Sequence, residues 1–316
     1  MRVINKKNII TLILILVLYV AMQALIATGI ISSFYEITLA TICINIILAV
    51  SLNLVTGFTG QFSLGHAGFM SIGAYVGALI NMEMNSTGGF LLGTLAGAVA
   101  AAIVGVIIGI PTLRLKGDYL AIATLGMAEI IRVVFLNMNV TNGAAGLNGI
   151  PRYTNWLWLF VFTALTLVMI SNFIRSSHGR ACISIREDEI AAESMGINTT
   201  KYKVTAFAVG AFFAGIAGSL YSSYFYFINP NIFGFMKSVD ILVIVVFGGM
   251  GSITGSVIAA IVLAVITTFL QSYSELRMII YALLLIIIML FRPQGILGTK
   301  EITDLFKFRK KGEKIQ

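Results

Sequence analysis

The sequence predicts an all-α, polytopic integral membrane protein with about ten transmembrane segments. Only 11% of its 316 residues are charged and 58% are hydrophobic, whereas soluble domains carry about 25% charged residues. The apolar residues come in blocks of about 20, the length of a helix that crosses a hydrocarbon core of about 30 Å. These observations exclude an ordinary soluble enzyme and leave little room for a soluble domain. Residues 1–316 are therefore interpreted as a single transmembrane domain.

Ten apolar blocks follow one another along the chain, and the first is interpreted as a retained span because it is longer than a signal-peptide core. We place the segments at about 9–31, 36–56, 64–81, 90–110, 119–137, 156–174, 204–228, 238–250, 253–271 and 276–292. The block 238–250 is too short to span a bilayer, and Gly248, Gly249 and Gly251 interrupt the apolar run beyond it. A broken or re-entrant half-helix is expected here, since irregular backbone at membrane depth is tolerated where protein surrounds it.

The basic residues predict the orientation of these segments. With a cytoplasmic N-terminus, 17 of the 21 Lys and Arg residues face inward, and only Arg152, Lys237 and Arg277 fall in outward-facing loops. Because cytoplasmic loops carry the excess of positive charge, both termini are expected in the cytoplasm. Two polar stretches lie on that side, the loop 175–203 and the basic tail 293–316. The net charge of +8 is therefore attributed to topology, and no nucleic-acid partner is expected.

The sequence contains few of the residues from which catalytic or metal sites are built. It has neither a GxxxxGK[ST] phosphate-binding loop nor an HExxH zinc motif, and its histidines are His66 and His178. Cys43 and Cys182 lie in an apolar block and a polar loop, and they indicate neither a disulfide nor a metal site. We therefore expect no catalytic residue, no metal ligand and no cofactor in this chain.

The densest glycine cluster spans 57–69 and includes Gly60, Gln61 and His66. Glycines permit both close helix approach and non-helical turns in a protein-lined region of the membrane. The stretch is interpreted either as a wall or hinge of a permeation path or as tight packing, with His66 as a hydrogen-bonded packing residue. Three further glycine pairs have the small-xxx-small spacing that favours helix packing. They are Gly73/Gly77, Gly93/Gly97 and Gly105/Gly109.

Glu129 and Arg132 stand three residues apart within the segment 119–137, so their side chains can meet on one helix face. A structural ion pair is the default interpretation, because pairing lowers the cost of charge at membrane depth. Gating or lining of a path is the alternative. One pair is too few for a proton relay, which needs several ionisable groups in series. The uncharged stretch 142–151 is interpreted as an external loop that contacts a partner, caps a path or is simply solvated.

The stretch 184–196 in the loop 175–203 is predicted to form one short helix. The acidic residues at 187–189 suit the positive end of a helix, and Gly196 can supply a left-handed C-cap. Ala191 and Met195 form a small apolar face. A helix this short is not stable alone, so it is interpreted either as a solvated surface helix or as a ligand for a groove on a cytoplasmic subunit.

Several motifs that follow in a fixed order resemble the membrane permeases of branched-chain amino-acid ABC importers, of the Liv type. They are SLNLVTG at 51–57, GQFSLGHAGF at 60–69, RLKGDYLAIATLG at 114–126, TNG at 141–143, the stretch 179–196, FGGMGS at 247–252 and FRPQG at 291–295. Together they are distributed over most of the chain. The RLKGDYL block and the FRP ending are similar to the LivM-like member rather than to its LivH-like partner.

The resemblance implies a permease subunit of a binding-protein-dependent importer for leucine, isoleucine and valine in the cell membrane. Its partners would be a second, LivH-like permease that completes the translocation path, two cytoplasmic ATP-binding subunits that use the ATP, and an extracytoplasmic substrate-binding protein. A permease for urea or short-chain amides in the same family is the alternative. An ion-coupled secondary amino-acid transporter is a more distant one.

The resemblance also implies roles for individual residues. The helix at 184–196 would be the coupling helix that docks on the ATP-binding subunits through Ala191, Ala192 and Gly196. The wider pattern begins with Glu where this chain has Ile190, and the neighbouring Glu189 is kept as a further ATPase-coupling candidate. Candidate residues of the translocation path are Gly60, Gln61, His66, Thr124, Glu129, Gly248 and Gly249.

Overall fold

The computed structural model describes residues 19–26, 28, 32–270, 283, 286, 290, 295–298 and 301. Most of the expected segment 276–292 and most of the tail 293–316 lie outside the described residues. The same holds for the first part of the expected segment 9–31.

The described part of the chain is mostly helical, as the sequence predicts. The described part of a first helix, α1, covers 19–26. The helices that follow are α2 Ser33–Asn53, α3 His66–Met84, α4 Thr87–Thr112, α5 Asp118–Asn137, α6 Trp156–Arg175, α7 Ser177–Glu187, α8 Glu189–Ser194, α9 Thr199–Phe225, α10 Phe235–Gly248 and α11 Ile253–Phe269. A π-helical turn, Leu54–Phe58, extends α2. Two strands of two residues each, β1 Leu147–Asn148 and β2 Phe227–Ile228, pair antiparallel.

Five helices in the described ranges are long and apolar enough to cross a membrane. They are Phe34–Phe58, Thr87–Thr112, Asp118–Asn137, Trp156–Arg175 and Thr199–Phe225. Four of them begin at residues whose side chains suit that position. The helices α4, α6 and α9 are capped by Ser86, Asn155 and Asn198, each of which accepts a hydrogen bond from a backbone N–H of the first turn. In α5, Asp118 supplies a negative charge to the first turn. The number of crossings stays a prediction, as does the position of the termini.

The core of the bundle is formed by α3, α4 and α9, whose backbones approach closely at glycines. A Cβ atom built on Gly73 would lie 2.0 Å from the Gly215 carbonyl oxygen, and one on Gly97 would lie 2.8 Å from the Gly73 carbonyl oxygen. A Cβ atom built on Gly93 would likewise lie 2.8 Å from the Gly77 carbonyl oxygen. The predicted packing role of these glycine pairs is confirmed, because no larger side chain fits between the helices.

The helices run between two ends of the bundle. Residues 114–116 and 175–203 lie at one end, which we call the basic end, and Lys116 approaches Glu189 there to 3.8 Å. The segments 138–155 and 226–229 lie at the opposite end, where β1 pairs with β2. The stretch 142–151 is therefore attached by this pairing to the segment that follows α9.

The helix α10 covers only part of the distance between the two ends. Its first turn lies beside the middle of α2, where Lys237 Nζ is 3.5 Å from Asn45 Oδ1. The turn that follows its last residue lies at the end of α2, where Asn53 donates to the Ser252 carbonyl (2.9 Å). Since Asn45 and Asn53 are about 12 Å apart along a helix axis, α10 begins about half-way between the ends.

An irregular segment, 226–234, supplies the rest of the distance before α10 begins. At the opposite end, Asn229 donates to a carbonyl of the 3₁₀ turn Gly143–Ala145 (2.8 Å). Further in, Asn231 accepts a hydrogen bond from Arg132 (3.0 Å), and Phe233 is buried in the core. Non-helical backbone thus descends into the bundle where protein surrounds it.

The expected interruption at the glycines is confirmed, because α10 ends at Gly248 and α11 begins at Ile253. A second irregular part, whose entry into the bundle the sequence did not predict, precedes Phe235. Gly249 and Gly251 have φ angles of 113° and 94° and form a tight turn between α10 and α11. The glycines are required because side chains rarely adopt such angles.

Candidate functional site

The loop 175–203 folds as two helices, α7 and α8, and the single helix expected over 184–196 is wrong. The interruption lies at Asp188, whose backbone is extended (φ −155°). Its carboxylate accepts hydrogen bonds from the N–H groups of Ile190 (2.9 Å) and Ala191 (3.0 Å), so it caps α8. The expected end of the helix is confirmed, because Gly196 has a φ of 84°, the left-handed conformation of a C-cap glycine.

The exposed side of α8 carries apolar side chains next to the carboxylate of Glu193. Ile190 is 73% exposed and Met195 is 83% exposed, and the side chain of Ala191 is exposed beside them. We call these three residues the α8 surface. Ala192, in contrast, is buried against the chain. Large apolar side chains so fully exposed on one short helix are typical of a surface that another protein covers.

Glu189 attaches α8 to the membrane helices. Its carboxylate lies 2.6 Å from Lys203 Nζ in the first turns of α9, and Lys116 approaches it from the other side. The structure therefore places two of the expected coupling residues, Glu189 and Ala192, on the inner side of α8. The sequence pattern gave Ile190 no role, yet Ile190 is on the outer side.

The end of α7 contacts the glycine-rich stretch that follows α2. Arg186 Nη1 donates to the Gly57 carbonyl (2.9 Å), and a Cβ atom on Gly60 would lie 3.1 Å from the Arg186 side chain. Gly57 also contacts the turn between α10 and α11. A Cβ atom built on Gly57 would lie 2.3 Å from the Gly251 nitrogen. Through these contacts, the loop 175–203 is connected to the turn at the end of α10.

Asn53 holds the same turn through three hydrogen bonds. Its Nδ2 donates to the Ser252 carbonyl (2.9 Å) and to Ser256 Oγ (2.8 Å), and its Oδ1 accepts from the Gly251 N–H (2.8 Å). The side chain is fully buried, so these bonds replace those to water. Sequence patterns alone give Asn53 no role, although an amide in an otherwise apolar helix is itself a signal of a specific partner.

The described part of the tail covers the other side of this turn. The Ile296 N–H donates to the Phe247 carbonyl (3.0 Å). The Glu301 carboxylate accepts from the Ile253 N–H (2.8 Å) and from Thr254 Oγ1 (2.7 Å). Glu301 therefore places a negative charge at the start of α11, where the helix dipole stabilises it.

Several expected path residues lie near the basic end, but they form no common site. The prediction for His66 is confirmed, because its buried ring Nε2 is 2.8 Å from Ser51 Oγ. Thr124 accepts a hydrogen bond from the Leu64 N–H (3.1 Å) and fixes the approach to α3. The side-chain amide of Gln61 is buried and has no hydrogen-bond partner among the described residues.

Glu129 and Arg132 form the predicted ion pair, with Nε and Oε2 2.6 Å apart. The pair also touches the start of α10, since a Cβ atom on Gly234 would lie 3.7 Å from Arg132 Cδ and 3.9 Å from Glu129 Oε1. Arg132 additionally binds Asn231 in the irregular segment. The ion pair thus fixes the entry to the half-helix at mid-depth, a position that the sequence did not predict.

No three His, Cys, Asp or Glu side chains in the described ranges lie close enough together to hold a metal ion. Cys43 and Cys182 are both buried free thiols. The chemistry of these elements is therefore one of hydrogen bonds, ion pairs and packing contacts that link the α8 surface, the turn 249–252 and the half-helix α10.

Comparison with known proteins identifies the family. The family model for the branched-chain amino acid transport system permease component matches residues 34–289. The high-affinity branched-chain amino acid permease protein LivM of Salmonella typhimurium is 36% identical over 97% of this chain and 79% of its own length. The LivM protein of Escherichia coli is 36% identical over 92% of this chain and 75% of its own length.

The LivH type of permease is also similar to this chain, but its sequence identity is lower. The LivH permease of Salmonella typhimurium is 29% identical over 81% of this chain and 92% of its own length. The higher identity to the two LivM proteins agrees with the resemblance that the RLKGDYL block carries. No solved structure matches the chain.

Proposed function

Because the chain belongs to the family of branched-chain amino acid transport permeases, we propose that it is the LivM-type permease subunit of an ABC importer for leucine, isoleucine and valine. A second, LivH-like permease would complete the translocation path. The observation that carries this proposal is the 36% identity to LivM over 97% of the chain. Two ATP-binding subunits and an extracytoplasmic substrate-binding protein complete the proposed importer.

In this proposal the protein lies in the cytoplasmic membrane, and its basic end faces the cytoplasm. The excess of Lys and Arg in the residues 114–116 and 175–203 supports this orientation. Residues 1–316 form one permease domain of ten crossings with both termini inside, α10 counted as one of them. The loop 175–203 is the coupling loop, and 293–316 is the cytoplasmic tail.

One of the two ATP-binding subunits docks on the α8 surface. A groove on that subunit would bury the exposed side chains of Ile190 and Met195. Asp188 and Gly196 contribute to docking indirectly, because they fix the start and the end of α8. The ATP is used by the partner subunits, and this chain receives only the movement.

The movement of α8 reaches the translocation path through the contacts of α7. Arg186 would displace the stretch around Gly57 and Gly60, and with it the turn that contains Gly249. The half-helix α10 ends at that turn and begins beside Glu129. Half-helices that start at mid-depth are a recurrent element of substrate sites in transporters, so α10 is the element that we place along the path.

The remaining path candidates have supporting positions in this scheme. His66 and Thr124 fix the start of α3 against α2 and α5. Gln61 has an unpaired buried amide among the described residues, so it is free to bind a group that arrives during transport. Gly248 and Gly249 allow the turn after α10 to pack closely on α11.

The docking proposal is tested by placing a charge on the α8 surface. The complete importer, with Met195→Glu or Ile190→Glu, is reconstituted in proteoliposomes, and leucine uptake and leucine-stimulated ATP hydrolysis are measured. Both activities should fall at least about tenfold, since burying an unpaired carboxylate in an apolar groove costs several kcal/mol. Val140→Glu is the matched control, because Val140 is 64% exposed at the opposite end.

Three results would contradict the proposed function. Unchanged coupling in both variants would refute the docking surface. Uptake that an ionophore abolishes and ATP-subunit mutations leave intact would indicate an ion-coupled transporter. Uptake of urea, with no uptake of leucine, isoleucine or valine, would identify the alternative cargo.

A further inference from the structure

A cavity of about 580 Å³ lies at the opposite end of the bundle, far from the α8 surface. It is partly open and is lined by α1, the start of α2, the residues that lead into α6 and the end of α9. Its polar lining includes Glu36, Arg152, Thr154 and Trp156. Its volume falls in the range of small-molecule sites, and none of the elements described so far uses it.

One wall of the cavity carries a fixed cation. Arg152 Nη1 donates to the hydroxyl of Tyr226 (2.9 Å), and its guanidinium carbon lies 4.9 Å from the centre of the Tyr224 ring. These contacts orient the guanidinium and leave most of its five N–H groups available. A guanidinium held in this way is suited to bind a carboxylate.

The cavity also contains an anion that does not neutralise this cation. Glu36 lies in the first turn of α2 and lines the same space. Within the described ranges, Glu36 and Arg152 form no ion pair with each other or with any other residue. The site therefore offers one positive and one negative group to a ligand, in a region that is partly shielded from water.

Two buried donors in the lining have no hydrogen-bond partner among the described residues. They are the Thr154 hydroxyl and the Trp156 indole N–H. Thr154 is only 1% exposed, and a buried donor left unpaired costs about 1–3 kcal/mol. Because the indole N–H can only donate, only an acceptor can satisfy it, and since both polar atoms are buried, a carboxylate oxygen in the cavity would reach them after a shift of the lining side chains.

The rest of the lining is mixed, with the polar side chains of Gln23, Thr87 and Asn155 beside apolar and aromatic ones. Ile26, Leu39 and Leu159 contribute aliphatic side chains, and Tyr19 and Trp158 contribute rings. A ligand that fits the whole cavity therefore has an anionic group, a cationic group and an apolar part. A free α-amino acid with an aliphatic side chain has all three.

We propose that this cavity is an entry site that binds the zwitterionic amino-acid cargo on the extracytoplasmic face of the permease. The cargo carboxylate binds Arg152 with help from Trp156 and Thr154, the ammonium group binds Glu36, and the aliphatic side chain contacts the apolar lining. This inference rests on the proposed function, because that function supplies both the cargo and the orientation. The headgroup of phosphatidylethanolamine carries the same two charges, so the experiment must separate the two ligands.

The test measures binding of radiolabelled leucine to the importer without its external binding protein, in nanodiscs of phosphatidylcholine and phosphatidylglycerol. Wild type is compared with Arg152→Gln, Glu36→Gln and Trp156→Phe. Each of the first two should weaken binding about tenfold or more, the order expected for a lost charge-assisted hydrogen bond. The matched control is Glu83→Gln, which removes an exposed carboxylate at the same end of the bundle and should bind like wild type.

Analogues that lack one charge assign each contact. 3-Methylbutylamine has neither a carboxylate nor a carbonyl group, so its binding should not be weakened by Arg152→Gln, and 4-methylpentanoate has no ammonium group, so its binding should not be weakened by Glu36→Gln. Trp156→Phe keeps an aromatic ring and removes the indole N–H, so it should weaken leucine but not 3-methylbutylamine. These patterns do not depend on whether a variant is slightly less stable, because each variant is compared with itself across ligands.

Two outcomes would overturn the entry site. One is leucine affinity that is the same in wild type, Arg152→Gln and Glu36→Gln. The other is absence of leucine binding together with retention of phosphatidylethanolamine that depends on these two residues, which would assign the cavity to a lipid. Uptake by the complete importer is measured in parallel. Normal leucine uptake with no binding in the cavity refutes this inference alone, whereas absence of any branched-chain amino-acid uptake refutes the proposed function.

Discussion

Adding one methyl group at Gly73 should separate the two central helices of the bundle. The Cβ of Gly73→Ala would lie 2.0 Å from the Gly215 carbonyl oxygen and 2.3 Å from its Cα. Both are backbone atoms, so no side chain can rotate away. The gap between α3 and α9 must open by about 1 Å before this contact reaches 3.0 Å, which is still tight.

The cost follows from this forced movement. Overpacking of a well-packed core costs about 1–3 kcal/mol, and we expect about 3 kcal/mol because α4 rests on the same glycine through Gly97. Replacing a helical glycine by alanine returns about 1 kcal/mol of helix propensity. The free energy of unfolding should therefore fall by about 2 kcal/mol in Gly73→Ala.

A second glycine serves as the matched control. Gly126 is also in the interior of a helix, α5, but nothing lies within 4 Å of its Cβ position. Gly126→Ala should gain about 1 kcal/mol from helix propensity alone. The difference between the two variants, about 3 kcal/mol, isolates the packing cost because the propensity gain is common to both.

The assay is reversible denaturation of the purified chain in mixed micelles, followed by circular dichroism. A lower midpoint for Gly73→Ala and a raised midpoint for Gly126→Ala are expected at equal slope. If both variants shift the midpoint in the same direction and by the same amount, the close approach of α3 and α9 does not determine stability and the reasoning from glycine geometry is refuted.

Three further predictions concern ionisable side chains. The double exchange E189K/K203E should restore most of the leucine-stimulated ATP hydrolysis that either single change removes, because the 2.6 Å ion pair holds α8 to α9. Equal losses of hydrolysis in all three variants would contradict this. Burial raises the pKa of the Cys182 thiol, so at pH 7 it should react with a maleimide far more slowly than a free cysteine, and labelling should increase only above the pH at which free cysteine reacts. Mass spectrometry measures the labelled fraction, and rapid labelling at pH 7 would show that α7 is not packed as described. Arg132→Met should lower the free energy of unfolding more than Arg132→Met with Glu129→Gln, by a difference of about 1–2 kcal/mol, because the single change leaves a carboxylate without its cation. Denaturation in micelles measures both, and equal free energies would show that the pair contributes nothing.

The sequence was sufficient to predict the helices because their physical signal is local. Blocks of about 20 apolar residues have one stable arrangement in a bilayer, and the expected segments 90–110, 119–137 and 156–174 each correspond to one helix of the structure. The break before Phe235 is different. The apolar stretch 204–228 passes into 229–234 with Pro230 as its only strong interruption, and nothing local shows that this segment turns back into the bundle.

What fixes the irregular segment is a set of partners that are distant in the sequence. Arg132 binds Asn231 across 99 residues, and Asn229 binds the turn at 143–145 across about 85. No periodicity reports such contacts. The sequence therefore predicted the ion pair of Glu129 and Arg132 correctly, since both partners lie in one helix, but it could not predict that the pair supports the entry to α10.

The orientation of α8 was missed for a related reason. The acidic residues at 187–189 are equally compatible with a continuous helix and with a capped break, and only the backbone shows that Asp188 is the cap. Once α8 begins at Glu189, a rotation of about 100° per residue separates Glu189 and Ala192 on one side from Ile190 on the other. The departure from the family pattern at Ile190 thus falls where a partner would make contact.

The two ends of α10 are held with different strength, and this difference bears on how the chain would respond to its ATP-binding partners. Near the basic end, the turn 249–252 is fixed by three short bonds to Asn53, by the tail at Ile296 and by Glu301 at the start of α11. At mid-depth, the described contacts of the first turn of α10 include longer ones, the 3.3 Å hydrogen bond from the Ala67 N–H to Ser238 Oγ and the 3.5 Å approach of Lys237 to Asn45. A displacement delivered through α7 would move the turn and the described part of the tail as one unit, while these longer contacts exchange. The half-helix would then change its tilt without losing its attachment to α2, and the movement would be largest beside Glu129, where non-helical backbone already borders the path that we propose.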